Sequence, residues 1–177
     1  MEYKIIFAGP VGAGKSTAIS TISDVEVVST ESRASDDVSL RKETTTVAMD
    51  YGRLALGNGQ AIHLYGTPGQ ERFSFMWEVL TIGGLGLVLL IDNAADDPLA
   101  DMEFYLGAFA KFIRENAVAV GVTRMDLQTQ PNLKQYNDKL MQLGIRAPVF
   151  EVDARRRDDI SALLQALLVM LDPSIKR

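Results

Sequence analysis

The chain has 177 residues, a length that fits one domain with a sizeable buried core. It is 47% hydrophobic and 23% charged with a formal net charge of -5, and its longest basic run is Arg155-Arg156-Arg157, so nucleic-acid binding has little electrostatic support. There is no cysteine, which excludes disulfides and thiolate metal sites within these residues, and neither C-terminal prenylation nor, with Glu2, N-myristoylation is expected.

In chain order, "YKIIFAG" at residues 3–9 is an apolar, β-rich run that stops at a Gly-rich turn, and a helix over residues 15–23 is expected to follow. With a strand starting this early, no signal peptide is expected. Residues 28–45 are polar and aperiodic and read as a long loop. Two strands flank Asn58-Gly59, a hairpin signal. A helix follows the Gly69-Gln70 segment to about Leu80, and residues 85–92 make a buried strand whose apolar run is too short to cross a bilayer. Pro98 opens another helix, "AVAVGVT" at 117–123 is a second buried strand, and Gly144 closes the helix "LKQYNDKLMQLG". "PVFEVDA" is the last strand, and Ile160, Leu163, Leu164, Leu167, Leu168 and Leu171 stripe the last helix. Such alternation predicts a mostly parallel six-stranded sheet with one antiparallel edge strand and helices on both faces, a three-layer α/β fold forming one domain over residues 1–177. Ligands of such sheets bind at the carboxyl ends of the strands. A cytoplasmic location is expected.

Gly9, Gly12 and Gly14 with Lys15 and Ser16 satisfy G-x-x-x-x-G-K-[ST] directly after a strand and before a helix. The glycines let backbone N–H groups point into one concavity, which the helix N-terminus makes more positive. A nucleoside triphosphate is expected here, along Gly9, Val11, Gly12, Ala13, Gly14 and Thr17, with Lys15 on its terminal phosphates and Ser16 on Mg2+. This marks the fold as a P-loop NTPase, without choosing between a GTP switch and an ATP-dependent kinase.

At the other end, Thr123-Arg124-Met125-Asp126 resembles the N/T-K-x-D element with which small GTPases read guanine. In that element the carboxylate accepts from guanine N1–H and the 2-amino group, a donor pair that adenine lacks. Arg124 can pack its stem along the base as the usual lysine does. Asp153-Ala154-Arg155 resembles the S-A-K element, in which the Ala154 N–H would meet the guanine O6. With "HLYGTPGQERF" at residues 63–73, the chain resembles the Ras-like small GTPases over nearly its whole length, and the bacterial MglA-type proteins most.

That resemblance implies a Ras-like G domain working as a molecular switch with slow GTP hydrolysis to GDP. It also implies effector proteins and a roadblock-type, MglB-like activator. A first-switch threonine should ligate magnesium and touch the γ-phosphate; Thr46 is the first choice among Thr44, Thr45 and Thr46. Gly69 should give its N–H to the γ-phosphate, and Gln70 should orient the attacking water. Val11 stands where Ras-type chains carry glycine for an inserted arginine, so hydrolysis should draw on an arginine of the chain itself. Arg41 is ranked first, then Arg33 and Arg72. Phe73, Phe75, Met76 and Trp77 read as core that leaves part of its surface to a partner. His63 reads as structural.

The largest departure is Gly66, which stands where the family places its metal aspartate. A hairpin turning at Asn58-Gly59 pairs residues whose numbers sum to 117 and sets Asp50 opposite Thr67; a loop one residue longer makes the sum 116 and sets it opposite Gly66. Asp50 is therefore the candidate replacement for the water-mediated metal contact, with Ser16 and Thr46 as direct ligands. Two rivals stand beside the switch: a non-hydrolysing nucleotide-binding scaffold and an ATP-dependent small-molecule kinase.

Overall fold

The computed structural model describes residues 2–29 and 49–171. Its elements in order are β1 (Glu2–Ala8), α1 (Lys15–Ile22), β2 (Val28–Ser29), β3 (Asp50–Gly57), β4 (Gln60–Gly66), a 3-10 turn (Glu71–Phe73), α2 (Phe75–Thr81), β5 (Gly86–Asp92), α3 (Pro98–Ala108), α4 (Ala110–Glu115), β6 (Ala117–Thr123), α5 (Leu133–Leu143), β7 (Val149–Glu151) and α6 (Arg157–Leu171). They build one seven-stranded sheet in the order β2-β3-β4-β1-β5-β6-β7.

The α/β architecture with a mostly parallel sheet is as expected, but the strand count is not. Val28 and Ser29 leave the expected loop to pair antiparallel with Tyr51 and Asp50, which adds a seventh strand and moves β3 off the edge. Strands β4, β1, β5, β6 and β7 run parallel. The last strand is shorter than expected, because the Asp153 amide turns out of the ladder to donate to Asp159 Oδ2 at 2.8 Å. After Gln70 the chain makes a 3-10 turn before α2 rather than one continuous helix.

Alternation along the central strands divides the core in two. Ile5, Phe7, Val88, Leu90 and Ala119 face Ile19 and Ile22 of α1 and Leu163, Leu164 and Leu167 of α6. Ile6, Leu87, Leu89, Ile91, Val118 and Val120 face Trp77, Met102, Tyr105, Phe109, Tyr136 and Leu140 on the opposite side. These layers fix the carboxyl ends of β4, β1, β5, β6 and β7 along one edge of the sheet. The loops discussed below leave from those ends.

Asn58 and Gly59 both have positive φ, 50° and 74°, the mirror-image turn that matches strand twist. At the turn Gly57 pairs with Gln60, but from Ala55 onward the ladder shifts by one, and Asp50 lies opposite Gly66. The shift comes from a bulge at Leu56, not from a longer loop.

Candidate functional site

The phosphate loop runs from the end of β1 into α1. Gly9 has φ 143°, and a Cβ there would lie 2.1 Å from the Leu90 carbonyl oxygen, so the loop leaves the sheet only through glycine. Gly12 and Gly14 also have positive φ, and Gly14 caps α1. Val11, Gly12, Ser16 and Thr17 are exposed while Ala13 is buried. Lys15 is buried along the loop, and its Nζ donates to the carbonyls of Gly9 at 2.6 Å and Pro10 at 2.7 Å. Burial pushes the Lys15 ammonium down to about 8, against the pull of the Asp50 carboxylate.

That carboxylate is the second part of the site. Ser16 Oγ donates to Asp50 Oδ2 at 2.5 Å across 34 residues of chain. A Cβ at Gly66 would lie 3.2 Å from both Asp50 Cβ and Oδ2 and 3.0 Å from Ile19 Cδ1. The missing side chain at Gly66 is therefore the space that Asp50 fills.

Gly69 lies against the same loop: a Cβ there would meet Val11 N at 2.7 Å and Lys15 Nζ at 2.9 Å. Gln70 is exposed, and its Oε1 accepts from Arg72 Nε at 2.6 Å. The Arg72 guanidinium also sits over the Phe73 ring. Thr44, Thr45, Thr46, Arg33 and Arg41 lie outside the described residues. The aromatic cluster divides: Phe73 and Trp77 are buried, whereas Phe75 is 63% exposed. His63 accepts or donates at Nδ1 with the Tyr51 hydroxyl at 2.7 Å, a strand-to-strand contact away from the loop.

The third part is a cavity of about 650 Å³ whose wall includes Ala13, Gly14, Thr17, Thr123, Asp126 and Ala154. Thr123 anchors its floor, its hydroxyl shared between the carbonyls of Ala13 at 3.0 Å and Ile91 at 3.2 Å. Arg124 has φ 61° and pairs with Asp92 at 2.6 Å. Among the described residues Asp126 makes no hydrogen bond or ion pair. Ala154 is held through its carbonyl, which accepts from Thr21 Oγ1 at 2.8 Å. Arg155 grips Asp153 with two side-chain hydrogen bonds of 2.9 and 2.8 Å, which hold the Asp153 carboxyl down to about 2.

Sequence reasoning missed the group that shapes this cavity. Asn93, fully buried, donates its amide to the carbonyls of Gln128 at 2.5 Å and Pro131 at 3.1 Å and accepts from the Tyr136 hydroxyl at 2.6 Å. Its backbone N–H also meets the Thr123 carbonyl. One asparagine thus satisfies its own polar atoms by holding the loop that carries Asp126. Tyr136 reaches it because Asn132 and Gln135 form a reciprocal cap at the start of α5.

Residues 21–173 match the family described as conserved hypothetical ATP binding protein. The chain belongs to that family. As a member of this ATP-binding family it is a nucleotide-binding protein, and the match overturns the resemblance to Ras-like and MglA-type small GTPases; the roadblock-type activator loses its basis with it. The matched span begins beyond the phosphate loop and takes in Asp50, Gly66, Gly69 and Asp126. An uncharacterized protein of Methanocaldococcus jannaschii is 32% identical over 94 residues, which cover 53% of this chain and 53% of that protein. The match thus spans about half the length of this curated relative. Among the described residues of this family member, no helix is long and apolar enough to cross a membrane.

Proposed function

We propose that the chain binds GTP and GDP with Mg2+ and hydrolyses GTP slowly, as a single-domain switch whose two forms partner proteins distinguish. The observation that carries the base choice is Asp126, a carboxylate without a hydrogen bond among the described residues, in a cavity that also reaches Ala13, Gly14 and Thr17 of the phosphate loop. A carboxylate there has two acceptor oxygens for two adjacent donors, which guanine offers and adenine does not. The family's description favours a second reading, an adenine nucleotide in the same cavity. Displacement of labelled GDP by GTP, GDP, ATP and ADP separates them. Strong displacement by the guanine pair alone supports the first reading, and the reverse order overturns it.

Ser16 and Asp50 supply hard oxygen donors beside the phosphate loop, a set that fits Mg2+. Bound there, the ion would offset charge on the phosphate oxygens. Asp50→Ala is expected to shrink the gain in GTP affinity on adding Mg2+ by about 10- to 100-fold, as Ser16→Ala does. A magnesium titration of the folded variant that matches the unsubstituted chain would remove Asp50 from the metal site.

In this reading Gln70 orients a water toward the γ-phosphate, with Lys15 and Gly69 on the phosphate itself. Its carbonyl oxygen, the acceptor such a water needs, is held by Arg72. Of the three candidate arginines Arg72 lies among the described residues, and its contact with Gln70 supports a role for it in this reading. Gln70→Leu is expected to keep nucleotide affinity and lower single-turnover hydrolysis on the order of 10²-fold, as misplacing the water would. An unchanged rate sinks the assignment and favours the non-hydrolysing scaffold.

A further inference from the structure

Behind the Gly69-Gln70 segment lies an aromatic layer that the site chemistry has not used. Trp77 and Tyr105 are both nearly fully buried, with ring centroids 5.1 Å apart, and Trp77 stacks on Phe109 at 5.5 Å. Each points its one polar group at the same short stretch of backbone. Trp77 Nε1 donates to the Pro68 carbonyl at 2.9 Å, and Tyr105 Oη donates to the Gly69 carbonyl at 3.0 Å.

Both peptides concerned are trans, and in a trans peptide the N–H points opposite to the C=O across the same bond. Fixing the Pro68 carbonyl toward Trp77 therefore turns the Gly69 N–H away from the aromatic layer. Fixing the Gly69 carbonyl toward Tyr105 does the same to the Gln70 N–H. Gly69 itself lies against Val11 N and Lys15 Nζ of the phosphate loop. We infer that Trp77 and Tyr105 are positioning residues which aim the Gly69 and Gln70 amides at the terminal phosphate and so set the preference for triphosphate over diphosphate. This rests on the nucleotide reading above, though not on which base is bound.

Their chemistry suits the task. Rigid rings packed in a core hold a donor at fixed range with little entropy left to lose. Burial, with the Glu71 and Asp101 carboxylates nearby, pushes the Tyr105 hydroxyl far above its usual range, so it stays a donor. Two neutral hydrogen bonds hold two consecutive carbonyls, a geometry that needs no charge at the site.

The test is the ratio of triphosphate to diphosphate affinity in Tyr105→Phe and Trp77→Phe, which keep an aromatic ring and lose the donor. A non-hydrolysable GTP analogue and GDP are titrated into each folded protein, and the matching adenine pair beside them. The expected result is a fall of about tenfold in the ratio for each variant, the loss of one hydrogen bond's worth of aim, with diphosphate affinity nearly unchanged. A merely structural role would weaken both nucleotides together and leave the ratio alone. Ratios equal to the unsubstituted chain's in both variants overturn the proposal, as does an unsubstituted chain with no triphosphate preference. Because the ratio is read with whichever base is bound, an adenine preference sinks the guanine reading and leaves this one standing.

Discussion

Asp126→Asn is expected to move base preference from guanine to xanthine by roughly two to four orders of magnitude. The asparagine keeps an oxygen for N1–H but presents an N–H2 to the guanine 2-amino group, donor against donor. Xanthine carries an acceptor at that position and restores the pair. The estimate follows from two charge-assisted hydrogen bonds of about 1.5–3 kcal/mol each, one of which becomes a neutral bond while the other gives way to two opposed donors. Because the loop carrying Asp126 is held by Asn93 rather than by Asp126 itself, the variant should fold unchanged. Competition between GDP and XDP measures it. A variant that keeps its guanine margin means that another group reads the base.

The largest expected loss of stability is at Gly9. Gly9→Ala places a Cβ 2.1 Å from the Leu90 carbonyl oxygen while asking alanine to hold φ 143°. Leu90 is backbone in the middle of β5, between β1 and β6, and has nowhere to go. Strained backbone of this kind costs about 1–3 kcal/mol, and the clash adds to it. A total on the order of 4 kcal/mol is expected, a large part of the ~5–15 kcal/mol that holds a domain together. Urea unfolding checks it, with Gly107→Ala on the exposed face of α3 as the control, since no atom lies within 4 Å of a Cβ there. Equal midpoints for the two variants would mean that the loop relaxes away from β5.

The parts legible in the sequence were those written in neighbouring residues. The phosphate loop, the apolar runs of β1, β5 and β6, the Asn58-Gly59 turn and the Gly144 stop each depend on a few contiguous positions, and the structure has them where the pattern puts them. The parts that were not legible are agreements between distant residues. Val28 and Ser29 are too short a run to read as a strand and become β2 by pairing with Tyr51 and Asp50. Asn93 finds Tyr136 across 43 residues, and Tyr105 finds the Gly69 carbonyl across 36. Side-chain contacts at that range leave no periodicity to read. The family likeness failed for a related reason. Short motifs at phosphate and base are dictated by the nucleotide's chemistry, so unrelated families share them. The match over residues 21–173 weighs the pattern along most of the chain instead.

The bulge at Leu56 gives the hairpin a tolerance that its site would otherwise lack. A regular ladder from Gly57 and Gln60 would carry Asp50 one step onward, opposite Thr67 and onto the other face of the sheet. The unpaired residue prevents this by holding one position in reserve. Loss of any single residue between Asp50 and the turn can be absorbed by drawing Leu56 into the ladder, and Asp50 then keeps its place opposite Gly66. Gain of a residue has no such buffer and must widen the bulge. The strand can therefore shorten during evolution without disturbing the carboxylate beside Ser16, while its lengthening is constrained. The hairpin tip, remote from the loop between β1 and α1, thus governs where Asp50 meets Ser16.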